Sequence, residues 1–411
     1  MMVYVLVIIM AFFWCMLVYY SVLTIAGVYR RQKKLDDTPL ESYPSVAVLV
    51  PCYNEGLVLN DTLDALSQLK YPGELNVYIL DDQSSDNTKE IAEAFQWRFS
   101  HIHYLLVPEM EIKGKSSVLN YGLQSTKSDY FCVFDGDNQP EPESVLRLVH
   151  AAEKTKKAAG AVGYVKTINA EKNILTRMIA LEFQVFQLLM QSGRYQLFKA
   201  GALAGTNMLL RREVIEEAGG YDPKALAEDA ELTVRVSSLG YLLPVVHHAR
   251  TWEQEPEQLK TLIKQRTRWL TGNLYLLEKS LYTFKFWKGR TFVHSLQHIL
   301  TYLVFIFFLA FSNIWFILGL IGYPLPSVNT PLLVLWFLSY VVYSAQIASA
   351  MVLEDTLTPK NVGVGVLMYF TYAQLFLIML FKSMIQYISG RLFKKQTKWD
   401  KTKRYKKDRL Q

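Results

Sequence analysis

The sequence predicts an α/β domain with a mostly parallel sheet, joined to a region of apolar, membrane-crossing α-helices. Three observations predict it. Short apolar strands alternate with helix-like segments between Tyr43 and Thr271, which is the pattern of a parallel sheet with helices on both faces. Clusters rich in Asp, Asn and Ser follow those strands, where ligands bind on such sheets. Three long stretches carry no charged side chain at all.

The first uncharged stretch opens the chain, since no Asp, Glu, Lys or Arg precedes Arg30. A crossing helix needs about 20 mostly apolar residues, so residues 1–29 read as an N-terminal anchor. The stretch lacks a basic leading segment and is too long for a cleaved signal. Arg30, Arg31, Lys33 and Lys34 follow it and place the next domain in the cytoplasm.

Residues 43–271 form that domain. Val46–Val50 is a buried strand, followed by the turn Pro51-Cys-Tyr-Asn-Glu55 and a helix at Asp61–Leu69. Asn76–Leu80 is a second strand, ending in Asp81-Asp82-Gln-Ser-Ser-Asp-Asn-Thr88, with a helix at Lys89–Trp97. His103–Val107 and Tyr130–Phe134 are the third and fourth strands, the latter ending in Asp135-Gly-Asp137. Residues 272–292 are amphipathic and aromatic, which suits a helix lying in the membrane interface. Residues 293–390 hold about three further crossings, two of them split at Tyr323-Pro-Leu-Pro326.

Charge excludes one class of partner. The 411 residues include 44 Lys and Arg and 37 Asp and Glu, a net of +7. The tail 391–411 holds ten basic and two acidic residues, so the other 390 sum to −1. A near-neutral body with a basic tail argues against nucleic acid and for contact with anionic lipid. Three later crossings would put that tail outside, whereas its charge puts it inside. Three scattered cysteines fit a reducing compartment, not a disulfide framework or a zinc site.

Two carboxylates one residue apart, as in Asp135-Gly-Asp137, can face one Mg²⁺ that also meets phosphate oxygens, or form an ordinary solvated turn. Asp81 and Asp82 can accept from a nucleobase or ribose, and Lys115, after Gly114, can meet a diphosphate. Asp229 reads either as a helix N-cap or as a general base. Gln265 and Trp269 share one helix face with Arg268 beside them, offering a stacking surface and a diphosphate clamp, or an interfacial anchor. His247-His248 reads as structural more readily than as metal ligands.

In order, VPCYNE, LDDQSSDNT, KGKSSVLNYG, FDGD, AED and QRTRW resemble the family-2 glycosyltransferases of GT-A fold. QRTRW ahead of apolar helices resembles their processive membrane branch, which includes cellulose, chitin and hyaluronan synthases. The layout is most similar to poly-β-1,6-N-acetylglucosamine synthases. The resemblance implies an N-acetylglucosaminyl- or hexosyltransferase that polymerises a UDP-sugar, with inversion, into an exported polysaccharide. It implies that Asp81 or Asp82 approaches uridine, that Lys115 and Asp135 meet the donor, and that Asp135 and Asp137 hold Mg²⁺ or Mn²⁺. It implies that Asp229, paired with Glu228, is catalytic, that Thr206 faces the acceptor, and that Gln265, Arg268 and Trp269 hold diphosphate and acceptor. Ala227 stands where the family usually has Thr. UDP-glucose as donor, or a lipid-linked acceptor, is the alternative. The expected partners are a UDP-sugar, the growing polymer, the plasma-membrane bilayer and a small membrane or regulatory subunit.

Overall fold

The computed structural model describes residues 2–33, 38–289, 291–305, 307–308, 310–311, 314, 317–318, 321–323, 329–393 and 404–405. Helix α1 (Met2–Arg31) leads into an eight-stranded mixed sheet. Its strands are β1 (Val46–Cys52), β2 (Leu75–Asp81), β3 (Ile102–Leu106), β4 (Tyr130–Val133), β5 (Gln139–Pro140), β6 (Gly160–Thr167), β7 (Met208–Arg211) and β8 (Val245–Glu253). They lie in the order β3-β2-β1-β4-β7-β6-β8-β5, and four of the seven pairings are parallel.

The alternation of β1 shows how the layers form. Val46, Val48 and Val50 face one apolar core, and Ala47 and Leu49 face the other. The first core is capped by α2 (Leu59–Ser67), α3 (Thr88–Arg98) and α5 (Ser144–Glu153). The second is capped by α4 (Lys115–Ser125), α8 (Arg212–Glu217) and α9 (Glu228–Ser238). A strand buried on both faces needs an unbroken apolar run, which VAVLVPC supplies.

Between β6 and β7 the chain forms α6 (Ile174–Gln184), a π-helical turn (Val185–Gln191) and α7 (Ser192–Phe198). Gln187 in the π turn pairs with both backbone groups of Val165 on β6, at 2.9 and 3.0 Å. α1 lies against this segment. A Cβ at Gly27 would collide with the Leu189 carbonyl, and one at Gly193 with the Leu23 carbonyl. The basic end of α1 is fastened too, Arg30 to the Val245 carbonyl and Arg31 to Glu354 at 3.2 Å.

Two boundaries differ from expectation. Asp229 lies inside the first turn of α9, whose N-cap is Ala227 without a side-chain cap bond. Residues 272–282 are not a separate interfacial helix. They continue α10 (Leu259–Tyr282), because nothing at Gly272 breaks it and Leu274, Leu276 and Leu277 keep its buried face going. Lys279 then pairs with Asp222 and Glu231 of the sheet domain at 2.9 and 2.6 Å.

After α11 (Thr291–Ile299) come α12 (Asn329–Leu353), α13 (Pro359–Phe370) and α14 (Tyr372–Leu392). Among the described residues, Val7–Arg31 and Tyr372–Leu392 are long and apolar enough to cross a membrane, and Phe337–Leu353 is a shorter apolar helix. Pro324–Pro326 of the expected break and most of the basic tail, like Lys34, lie outside the described residues; of the tail, residues 391–393, Arg404 and Tyr405 are described.

Candidate active site

The ends of β1, β2 and β4, the turn before β7, the start of α9 and the middle of α10 enclose one cavity of ≈ 580 Å³. Asp82, Lys115, Asp135, Thr206, Glu228, Asp229, Gln265, Arg268 and Trp269 all line it. The two remaining residues marked in the sequence, Asp81 and Asp137, sit just outside its wall. Asp81 accepts from the Tyr104 hydroxyl and the Ser84 N–H, both at 2.9 Å, so its carboxylate is turned toward β3. Asp82 faces the cavity, and burial raises its carboxyl above the ordinary range.

Lys115 ties the centre together. Its ammonium lies 2.5 Å from Asp135 and 3.6 Å from Glu228, and donates to the Gly205 carbonyl at 2.7 Å. Burial would lower its pKa, but Asp135 and Glu228 outweigh burial and hold it protonated. The carbonyl comes from a tight turn in which Gly205 and Asn207 have φ of 76° and 48°. Asn207 is pinned beneath by the Tyr164 and Ala249 carbonyls. A Cβ at Gly205 would stand at ordinary contact, 3.5 Å, from an Asp229 oxygen, so it is the positive φ that calls for glycine. Thr206 bridges, accepting from the Asp135 N–H at 3.1 Å and donating to Asn138 at 2.7 Å.

Asp229 is a carboxylate kept ready to take a proton. Burial first, and Glu228 second, push its pKa up to about 7, and the Ala230 N–H and Lys115 pull against them. A base poised near neutrality works best near neutral pH. Trp269 presents a ring whose position is fixed by Phe183, stacked at 6.5 Å between centroids, and by the Arg266 guanidinium, 4.2 Å from its centroid. Arg266 in turn pairs with Glu182 at 2.7 Å. Sequence reasoning singled out Arg268 and passed over Arg266. Two arginines in QRTRW were the signal, and only packing assigns them different tasks.

The C-terminal tail returns to this centre. Arg404 grips both oxygens of Asp137, at 2.7 and 2.8 Å, and lies 3.5 Å from Glu55. Tyr405 anchors it through Gln254 and Thr261. The tail read from sequence as a membrane-surface charge therefore places at least this arginine in the catalytic domain. The same contact tests the expected metal site. Asp135 and Asp137 offer hard oxygen donors, and a guanidinium on Asp137 shows that a cation is accommodated there. Among the described residues no group of three or more His, Cys, Asp or Glu is arranged to hold an ion by itself. A divalent ion here would need oxygens from a bound diphosphate. His247 and His248 lie on β8, outside the cavity wall.

Tyr20, Arg194, His294, His298 and Tyr302, none of which the sequence had marked, also line this cavity, and we refer to the part they line as its second lobe.

The profile described as "Glycosyltransferase like family 2" matches residues 44–272. The chain is 38% identical to the "Probable glycosyltransferase YdaM" of Bacillus subtilis (strain 168), over 95% of this chain and 96% of that one. It is 29% identical to the β-monoglucosyldiacylglycerol synthase of Trichormus variabilis, over 60% of this chain and 52% of that one. It is 24% identical to the poly-β-1,6-N-acetyl-D-glucosamine synthase of Staphylococcus epidermidis, over 58% of this chain and 57% of that one. The chain thus spans just over half the length of those last two. Among solved structures, the mannosyltransferase PcManGT from Pyrobaculum calidifontis, in complex with GDP-Man and Mn²⁺, shares the fold. Its TM-score is 0.55 at 17% identity, over 94% of this chain and 99% of that one.

Proposed function

The chain belongs to the glycosyltransferase-like family 2, and we propose that it is a membrane-bound, inverting β-glycosyltransferase. In this reading it polymerises a UDP-sugar, UDP-N-acetylglucosamine favoured, into an exported polysaccharide. One observation carries the reading. Asp229, poised near neutrality, shares a single cavity with Asp82, Lys115 and Asp135 on one side and with Gln265, Arg268 and Trp269 on the other.

The donor lies along the first group. Asp82 meets the uridine, and Lys115 and Asp135 meet the diphosphate and the donor sugar. Asp135 and Asp137 would hold Mg²⁺ or Mn²⁺, which when bound neutralises charge on the leaving diphosphate. Trp269 gives the acceptor sugar a flat apolar face, and Gln265 and Arg268 orient the groups around it. Asp229 accepts the proton of the acceptor hydroxyl as that oxygen attacks the anomeric carbon. Attack opposite an α-linked nucleotide inverts the centre and leaves a β-linkage. Glu228 shares the charge of Lys115 and keeps Asp229 basic.

The catalytic domain faces the cytoplasm, since Arg30 and Arg31 sit at the domain end of α1. A second reading, transfer to a lipid-linked acceptor, is favoured by the second lobe, which borders α1 and α14 through Tyr20 and Phe376.

The test is to incubate membranes carrying the enzyme with radiolabelled UDP-N-acetylglucosamine or UDP-glucose and Mg²⁺. The expected result is label from the first donor in high-molecular-weight product. Asp229→Asn abolishes that incorporation and keeps UDP binding. Undiminished polymer from Asp229→Asn would sink the assignment.

A further inference from the structure

The transfer chemistry leaves the second lobe of the cavity unused. Its central feature is Arg194, which is 8% exposed. One guanidinium nitrogen donates to the Gln297 side-chain oxygen at 2.8 Å, and Nε has no partner. Beside it His294, 2% exposed, leaves Nε2 unpartnered.

Among the described residues, the two other arginines buried as deeply as Arg194 are matched by acids, Arg266 by Glu182 and Arg177 by Glu171. Among the described residues no carboxylate pairs with Arg194, and the ionisable groups that act on it are the phenols of Tyr19, Tyr20 and Tyr302 and the imidazoles of His294 and His298, none of them a carboxylate. A guanidinium taken out of water without a counter-charge is costly, and a ligand that brings the charge removes that cost. The planar fork of arginine matches phosphate oxygens in pairs.

The walls say what carries the phosphate. Tyr20 and Leu23 come from α1 and Phe376 from α14, the two helices long and apolar enough to cross a membrane. A ligand reaching Arg194 between them has an apolar body. The lobe is also continuous with the catalytic one, and Tyr302 lies within electrostatic reach of both Arg194 and Asp229. We propose that this lobe binds the phosphate headgroup of an anionic lipid that presents the first acceptor hydroxyl toward Asp229. The inference rests on the reading of Asp229 as the transfer base. It names the class of molecule on which a chain starts.

Native mass spectrometry of the full chain in detergent, with phosphatidic acid against diacylglycerol of the same acyl chains, tests it. Wild type should retain phosphatidic acid at least about tenfold better, the ratio expected for one charge-assisted bidentate contact. Arg194→Gln should erase the preference, Arg194→Lys should keep part of it, and UDP binding should be unchanged in both. Equal retention of the two lipids by wild type, or an undiminished preference in Arg194→Gln, overturns the proposal. Displacement of phosphatidic acid by millimolar inorganic phosphate overturns the lipid source. Asp229→Asn should still retain phosphatidic acid. Product formation by that variant, with lipid preference lost in Arg194→Gln, would fault the transfer reading alone.

Discussion

In the proposed mechanism Asp229 takes the acceptor proton, and two separable influences set its basicity. Burial is the larger, and the charge of Glu228 is the second. The base works ionised, so kcat/KM should fall as pH drops below about 7. Glu228→Gln removes the like charge and keeps the burial. It should move that acidic limb down by about one unit, toward the ordinary carboxylate range. A pH–rate profile of the two enzymes checks this, and an unmoved limb would remove Glu228 from the account. Asp82 and Asp135 were legible in the sequence because each follows its strand by a residue or two, so their location is local information. Which of Asp81 and Asp82 faces the cavity was not legible. It depends on Tyr104, on the neighbouring strand, claiming the first. Arg194 and Arg404 were invisible for a stronger reason. Arg404 stands 267 positions from Asp137, and nothing in a basic run distinguishes the residue that will be buried.

The segment from α6 through the π turn to α7 couples the sheet to the N-terminal helix. Gln187 mimics a neighbouring strand for β6, and Gly193 lets α1 approach backbone to backbone. Gly193→Leu should force the two helices apart, at a cost of about 1–3 kcal/mol or more. Gly363→Leu, where a Cβ would meet nothing within 4 Å, is the control. Thermal unfolding in detergent should show a drop of several degrees for the first and little change for the second. The strands and the helices between them could be read from apolar periodicity, since each buries its own face. The extent of α10 could not. QRTRW and the aromatic stretch after it differ in character, yet one helix serves the cavity with the first and the catalytic-domain surface with the second.

At the scale of the whole molecule, the course of α14 bears on the conflict between tail charge and crossing number. It runs the same way as α10 along its length. Tyr372 and Arg266 share Glu182, Leu270 meets Met379 and Leu380, and Glu278 meets Tyr387 and Arg391. On its far side Ile378, Phe381, Ile385, Ile388 and Leu392 form an exposed apolar stripe. That is the pattern of a helix lying in the interface plane. α13, at 12 residues, reaches only about 18 Å, short of the ~30 Å core. α12 ends just before Glu354, which is held by Arg31 and by Lys166 of the sheet domain. The tail then begins on the catalytic side, where Arg404 meets Asp137. A reporter fused after Gln411 should read out cytoplasmic, and an external readout would reinstate α14 as a crossing. Because Tyr20 and Leu23 of α1 form part of the cavity wall, the proposed anchor helix would also keep bulk water from the proposed acceptor side. Leakiness of that wall would be paid in wasted donor, seen as free sugar released for each sugar transferred. Tyr20→Ala should raise that ratio, and an unchanged ratio would mean that α1 only anchors.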